Sequence, residues 1–327
     1  MSYAVPQVAP PAASAVAAGA ARRDRDRAWA LGIVLVAQAG LAARLVWTGG
    51  ASPEEARCLR WAHWAAGLTA ARLLALAIML GVTGLLWTTT SRLYGRRAAL
   101  LASGLFATLT GTQLTGSLAT GDAPALLLLA LAAWLAVRAA GARAAGARAP
   151  LPPVALLTGA GLVLAAAIWC YWQGAASRLV AGPDATVSAP SVLKAAYTQT
   201  SLVLVLAALG VALAARRRWS RGRAWRRPAV LLAAALIAPV VQAVQHSTAG
   251  LPGHVLAGAW FAAIAAGYGL ARLSRVDRGY GWAVVMALPI AAATLFGSMG
   301  QAHTLHRAWP DAAQLTASAS GGHDAGH

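Results

Sequence analysis

Lysine is almost missing from this chain: Lys194 stands alone against 26 arginines, and acidic residues number only nine in 327. With so much alanine, the imbalance reads as compositional bias, so arginine abundance by itself argues for no phosphate chemistry. Cysteine occurs twice, at Cys58 and Cys170, which is too few for a disulfide framework. Charges within the apolar runs are scarcer still. Arg44, with Gln38, Gln113, Gln242 and Gln245, is nearly all the strong polarity they hold. Transporters and proton pathways usually carry ionisable groups at mid-depth, so a transporter or flippase is disfavoured as a class. The first 21 residues are uncharged and the basic cluster Arg22–Arg27 follows them, the reverse of signal-peptide order, so a cytoplasmic leader and a retained first span are expected.

What is present in quantity is apolar sequence. A hydrocarbon core about 30 Å thick needs about 20 residues of helix to cross it. Runs of that kind fall at Ala28–Trp47, Leu73–Thr90, Ala98–Leu118, Ala123–Val137, Val154–Trp172, Thr200–Ala215, Ala229–Gln245, Val255–Ala271 and Trp282–Gly300. They predict an all-α polytopic membrane protein of about nine transmembrane helices. Residues 1–27 are expected as a disordered leader, 28–300 as the bundle and 301–327 as a tail.

The arginines alternate between connections. The N-terminal segment and the even-numbered connections hold 20 of the 27 basic residues, in clusters at Arg22–Arg27, Arg92–Arg97, Arg138–Arg148, Arg216–Arg227 and Arg272–Arg278. The positive-inside rule then predicts a plasma-membrane protein with its N-terminus in the cytoplasm and its C-terminus outside. The net charge of +18 is accounted for by short loops meeting anionic lipid headgroups, without nucleic acid.

The opposite face collects Glu54, Glu55, Asp122 and all seven histidines, and any chemistry is expected there. In the first outer loop, Ser52 and Glu55 form a capping box with Pro53 in the first turn. Trp61 and Trp64 would anchor a short interfacial helix. Capping accounts for Glu55; Glu54 is left over and is the better candidate for a general base acting on an acceptor hydroxyl. Asp122 is a natural N-cap for the fourth run, with Pro124 just after it, and it also sets a carboxylate at that face. His246 and His254 bracket a short polar connection. Their spacing fits no compact metal-ligand pattern, so bonds to headgroups or backbone carbonyls are the plainer reading and contact with a lipid phosphate the alternative.

The stretch Leu93–Val137, with a basic turn before two runs and Asp122 at the turn between them, resembles glycosyltransferase family 39 of the GT-C superfamily. Glu54 and Glu55 fall where that family carries an acidic pair after its first span. Ala238–Leu273 is similar to its actinobacterial branch, and the run containing Trp309-Pro310-Asp311 resembles the exit from its last span. The resemblance touches most of Gly49–Ser318 through order and sidedness rather than one specific motif. It implies inverting transfer of a hexose such as mannose from a polyprenyl-phosphate-linked sugar donor to a protein, lipid or glycan acceptor. It further implies Glu54 or Glu55 as base, Asp122 positioning the acceptor or a divalent metal, and Arg57, Arg60 or Arg72 contacting the donor phosphate. The chain departs from the family in having only 17 residues between Glu55 and Leu73, with no His-Pro-Pro-like turn. A non-catalytic relative, or a membrane scaffold in cell-envelope assembly, is the alternative reading.

Overall fold

The computed structural model describes residues 13–47, 55, 67–145, 152–179, 188–216, 225–244 and 251–273. Among them the secondary structure is helical, without strands. In chain order the helices are α1 (Ala13–Val46), α2 (Gly67–Tyr94), α3 (Arg96–Thr108), α4 (Thr110–Ser117), α5 (Asp122–Ala145), α6 (Pro153–Leu179), α7 (Ala189–Arg216), α8 (Arg226–Val244) and α9 (Leu251–Leu273).

Five helices are long and apolar enough to cross a membrane: α2, α5, α6, α8 and α9. A sixth, α7, qualifies if its two segments, which meet at 81°, form one span. The first expected run forms the C-terminal half of α1, whose apolar part, Ala28–Ala43, is shorter than a full crossing. That helix starts at Ala13, so half of the leader expected to lack structure is helical. The ninth expected run, Trp282–Gly300, lies outside the described residues. This is a multi-pass helical membrane protein.

The third expected run, Ala98–Leu118, is not one helix. It breaks at Leu109, whose extended backbone (φ −64°, ψ 138°) separates α3 from α4. A break inside apolar surroundings leaves carbonyls that must find donors. Thr108 Oγ1 turns back onto the carbonyls of Gly104 and Leu105, each at 3.0 Å. The Gln113 amide donates to the Ala107 carbonyl. Threonine and glutamine near Leu109 therefore satisfy the break from within, which is why so polar a run sits inside the bundle. At the other end of α3, Gly95 (φ +90°) makes the turn from α2, a conformation that a side chain would strain.

Helix α9 is the core. Its apolar stretch is 89% buried, against 17–33% for the other four spans, whose outer faces are left for lipid. Small residues permit this. At 100° per residue, Gly258, Ala265 and Gly269 share one face and Gly267 lies opposite. A Cβ on Gly258 would fall 2.4 Å from the Ala235 carbonyl of α8, and one on Gly267 2.4 Å from the Ala98 carbonyl of α3. A Cβ on Gly210 of α7 would fall 2.5 Å from the Ala265 carbonyl and 3.3 Å from Gly269 Cα. So α9 is clasped between α3 on one side and α7 and α8 on the other, backbone against backbone, the kind of approach that packs helices in lipid. Trp260, Phe106, Met79 and Leu86 fill what remains, each fully buried.

The bundle has two unlike ends. Arginines cluster where α2, α5, α7 and α9 finish and α3 and α8 begin: Arg92, Arg96, Arg138, Arg216, Arg227 and Arg272 lie there. Arg272 covers the ring of Tyr268, which stacks on Tyr94, and Arg138 covers Trp134. Glu55, Arg72, Asp122 and His254 occupy the opposite end.

Candidate site at the acidic end

Five chain segments meet at the acidic end: the close of α1, Glu55, the first turns of α2, the link between α4 and α5, and the start of α9. Glu55 and Arg72 bind each other in parallel. Arg72 Nε donates to Oε1 of Glu55 at 2.8 Å and Arg72 Nη2 to Oε2 at 3.0 Å. The backbone N–H of Ala119 donates to the same Oε1 at 2.9 Å. Arg72 Nη1 reaches the Val46 carbonyl at 3.4 Å. Both side chains are out of solvent, at 0% and 1% exposed. Two-point arginine–carboxylate pairing is the strong form of the interaction. Here it ties the end of α1, Glu55, α2 and the α4–α5 link into one knot.

This geometry recasts two candidates. Glu55, read from sequence as a helix cap or a base, takes three donors from beyond its own turn and faces no solvent. Arg72, implied by resemblance as a phosphate contact, has its guanidinium engaged by Glu55 and the end of α1. Both hold the fold at this end.

Asp122 is placed differently. It opens α5, three residues after Ala119, and is only partly buried. Its carboxylate lies against the first turn of α9, at the point where a Cβ on Gly253 would stand: that position is 2.5 Å from Asp122 Cγ and 2.6 Å from Oδ1. Gly253 is the opening that lets the carboxylate in. The first turns of α5 and α9 both present the positive end of a helix dipole, which favours an anion there.

His254 follows Gly253 directly. Its Nδ1 is hydrogen-bonded to Nε2 of Gln242, a residue 4% exposed in the last turns of α8. The bond orients the ring: either the amide N–H donates to Nδ1 or, with the amide turned over, Nδ1–H donates to its oxygen. A small apolar cluster of Val192, Ala196, Ala243, Leu251 and Val255 packs the ends of α7, α8 and α9 at this corner. The arrangement thus sets a partly exposed carboxylate and an imidazole oriented by an amide on neighbouring turns at one rim of the bundle.

Glu54, Arg57, Arg60 and His246 lie outside the described residues. Cys170 is an unpaired thiol, and Cys58 is outside the described residues. Among the described residues, no group of three or more His, Cys, Asp or Glu side chains is placed to hold a metal ion. Gly253 and the Ala119 amide were not legible as site components, since a glycine in an apolar helix and a backbone N–H carry no local signature. Gln242 was visible as intramembrane polarity, but nothing in its spacing pointed to His254.

Comparison of the chain with family models, curated proteins and solved structures finds no match. The class that the fold defines is therefore a multi-pass helical membrane protein with a polar corner at one end.

Proposed function

We propose that this chain is a membrane glycosyltransferase-like protein in which Asp122, rather than Glu55, is the acceptor-activating base at the extracytoplasmic face. The observation that carries the proposal is the seat of Asp122: a partly exposed carboxylate held against the start of α9 at Gly253, the residue before His254. The resemblance in Leu93–Val137 and Ala238–Leu273 supports the same reading, because those two stretches supply Asp122 and His254. In this reading the arginine end is cytoplasmic, as the basic clusters favour.

The chemistry is a single displacement. The acceptor hydroxyl loses its proton to Asp122 as its oxygen attacks the anomeric carbon of a polyprenyl-phosphate-linked hexose. The bond from that carbon to the phosphate oxygen breaks, and polyprenyl phosphate leaves with inversion. His254, in the tautomer whose Nδ1 accepts from Gln242, is suited to donate a hydrogen bond from Nε2 to the departing phosphate, with Arg57, Arg60 and His246 as further candidates. The Glu55–Arg72 pair is a strut behind this corner. No metal is required for these steps.

The test is donor turnover in proteoliposomes supplied with polyprenyl-phosphate mannose, read as release of polyprenyl phosphate. Asp122→Asn should lower the rate by about 10²–10⁴, the usual worth of a general base. A wild-type protein that is folded but releases no polyprenyl phosphate from this or other hexosyl donors would sink the proposal. The second reading, a non-catalytic scaffold, is favoured by one observation, the complete burial of Glu55. It predicts that Asp122→Asn leaves every cellular role of the protein intact.

A further inference from the structure

Hydroxyl side chains within this bundle mostly turn back on their own helices. Thr83 donates to the Met79 carbonyl, Thr108 to those of Gly104 and Leu105, and Thr200 to that of Ala196. Thr112 does not. It is 1% exposed and its Oγ1 has no hydrogen-bond partner among the described residues. Gln38 on α1 is also 1% exposed. Its Oε1 accepts from Thr83 Oγ1 at 2.7 Å, while its Nε2 has no partner among the described residues. An unpaired buried polar group costs about 1–3 kcal/mol, and such groups in folded proteins generally mark a bound water or ion.

These two, among eight buried side-chain atoms without a partner among the described residues, come to the same level. Helices α2 and α4 run antiparallel, and a Cβ on Gly116 would touch Met79 Cβ at 3.4 Å. One turn along each helix from that contact, in opposite chain directions, places Thr112 of α4 beside Thr83 of α2. Residues four apart share a helix face, so Thr112 faces α2 as Gly116 does. Thr83 is bonded to Gln38. Three helices thus bring an amide N–H₂ and two hydroxyls to one depth, beside the break at Leu109. No charged side chain takes part, which excludes an ionised ligand and suits a small neutral one.

We propose that Gln38, Thr83 and Thr112 form an internal binding site for a water-sized neutral hydrogen-bonding ligand, occupied by water, at the seam of α1, α2 and α4. The water accepts from Gln38 Nε2 and bonds to Thr112 Oγ1. If the Gln38 amide is turned over, its oxygen accepts from the water instead, and the site persists. Its role is to seat the short helix α4, whose far end carries the α4–α5 link onto Glu55.

The test is hydroxyl-radical footprinting of the full chain in detergent micelles, with radicals generated from water by an X-ray pulse. Met79 is 0% exposed and lies one turn from Thr83. A water in the site makes radicals next to it, so Met79 should be oxidised in the folded protein. Replacing Gln38 with Leu and Thr112 with Val together should lower that rate about tenfold by removing the polar partners that an internal water needs. Thr112→Ser keeps the hydroxyl and should retain the wild-type rate. Met79 left unoxidised in the wild type would overturn the proposal, as would equal rates in wild type and double variant. Should the double variant fail to fold, the wild-type measurement and Thr112→Ser still decide it.

Discussion

Removing one partner of the Glu55–Arg72 pair should unfold this end of the bundle, and removing both should cost much less. In Arg72→Leu the Glu55 carboxylate loses its donors at 2.8 and 3.0 Å and keeps the Ala119 N–H at 2.9 Å. Both residues are at most 1% exposed, so solvent does not replace what is lost. Breaking a buried pair from one side costs about 3–5 kcal/mol, whereas exchanging both partners for apolar groups is often neutral or better. For domains of 150–250 residues, 1 kcal/mol moves the melting temperature by about 2–4 °C. Arg72→Leu should therefore melt roughly 6–20 °C below wild type, from those two magnitudes taken together. Glu55→Leu should fall in the same range, because it leaves the guanidinium as an uncompensated buried charge. The double variant Glu55→Leu with Arg72→Leu should recover much of the loss, less the Ala119 bond. Thermal unfolding in one detergent, followed by tryptophan fluorescence, measures all four proteins as a double-mutant cycle. An Arg72→Leu protein that melts with wild type, or a double variant no more stable than the worse single, would refute the pairing as the support of this end.

Three further outcomes follow from other contacts. Gly253→Ala sets a methyl 2.5 Å from Asp122 Cγ and should lower stability by about 1–3 kcal/mol, the usual cost of overpacking; pairing it with Asp122→Ala should return most of that, as thermal melting would read. Gln113→Leu strips the Ala107 carbonyl of its side-chain donor at the break and should cost about 1–3 kcal/mol in the same assay. Gly267→Leu forces a side chain into the Ala98 carbonyl, 2.4 Å from the Cβ position, and should abolish the folded, monodisperse protein on size-exclusion chromatography, while Gly161→Leu on α6, with nothing within 4 Å, should be tolerated.

The helices were legible because hydrophobic length is a property of each segment alone. Leu73–Thr90, Val154–Trp172 and Val255–Ala271 each fall inside one observed helix, and Ala123–Val137, the shortest run, proved to be part of the 24-residue α5. The break at Leu109 was not legible, because Ala98–Leu118 is apolar enough on average to read as one span. Its signal was the density of Thr and Gln after Phe106, which only becomes meaningful once Gln113 is seen to serve the Ala107 carbonyl. The site divided in the same way. Asp122 could be placed at a helix start from Thr120-Gly121-Asp122-Ala123-Pro124, because capping is local. That Glu55 binds Arg72, 17 residues on, and that Gly253 makes room for Asp122, are facts of tertiary packing on which local pattern has no purchase.

The contrast between Glu55 and Asp122 bears on which reading of the protein is sounder. A carboxylate that must take a proton from an acceptor has to be reachable by that acceptor and must not already spend its oxygens on fixed donors. Glu55 fails both conditions: its two oxygens bind Arg72, one also binds the Ala119 amide, and it has no exposed surface. Asp122 keeps surface and sits at the rim, packed against Gly253 at the start of α9. Of these two carboxylates the proposed function assigns the proton to Asp122, and Glu55→Gln should then affect turnover only through the amount of folded protein. Turnover per folded molecule separates the two roles. It should stay within about twofold of wild type in a Glu55→Gln sample corrected for folded fraction, and fall by about 10²–10⁴ in Asp122→Asn. Equal losses per folded molecule would return Glu55 to the reaction and make its burial a property of the resting state alone.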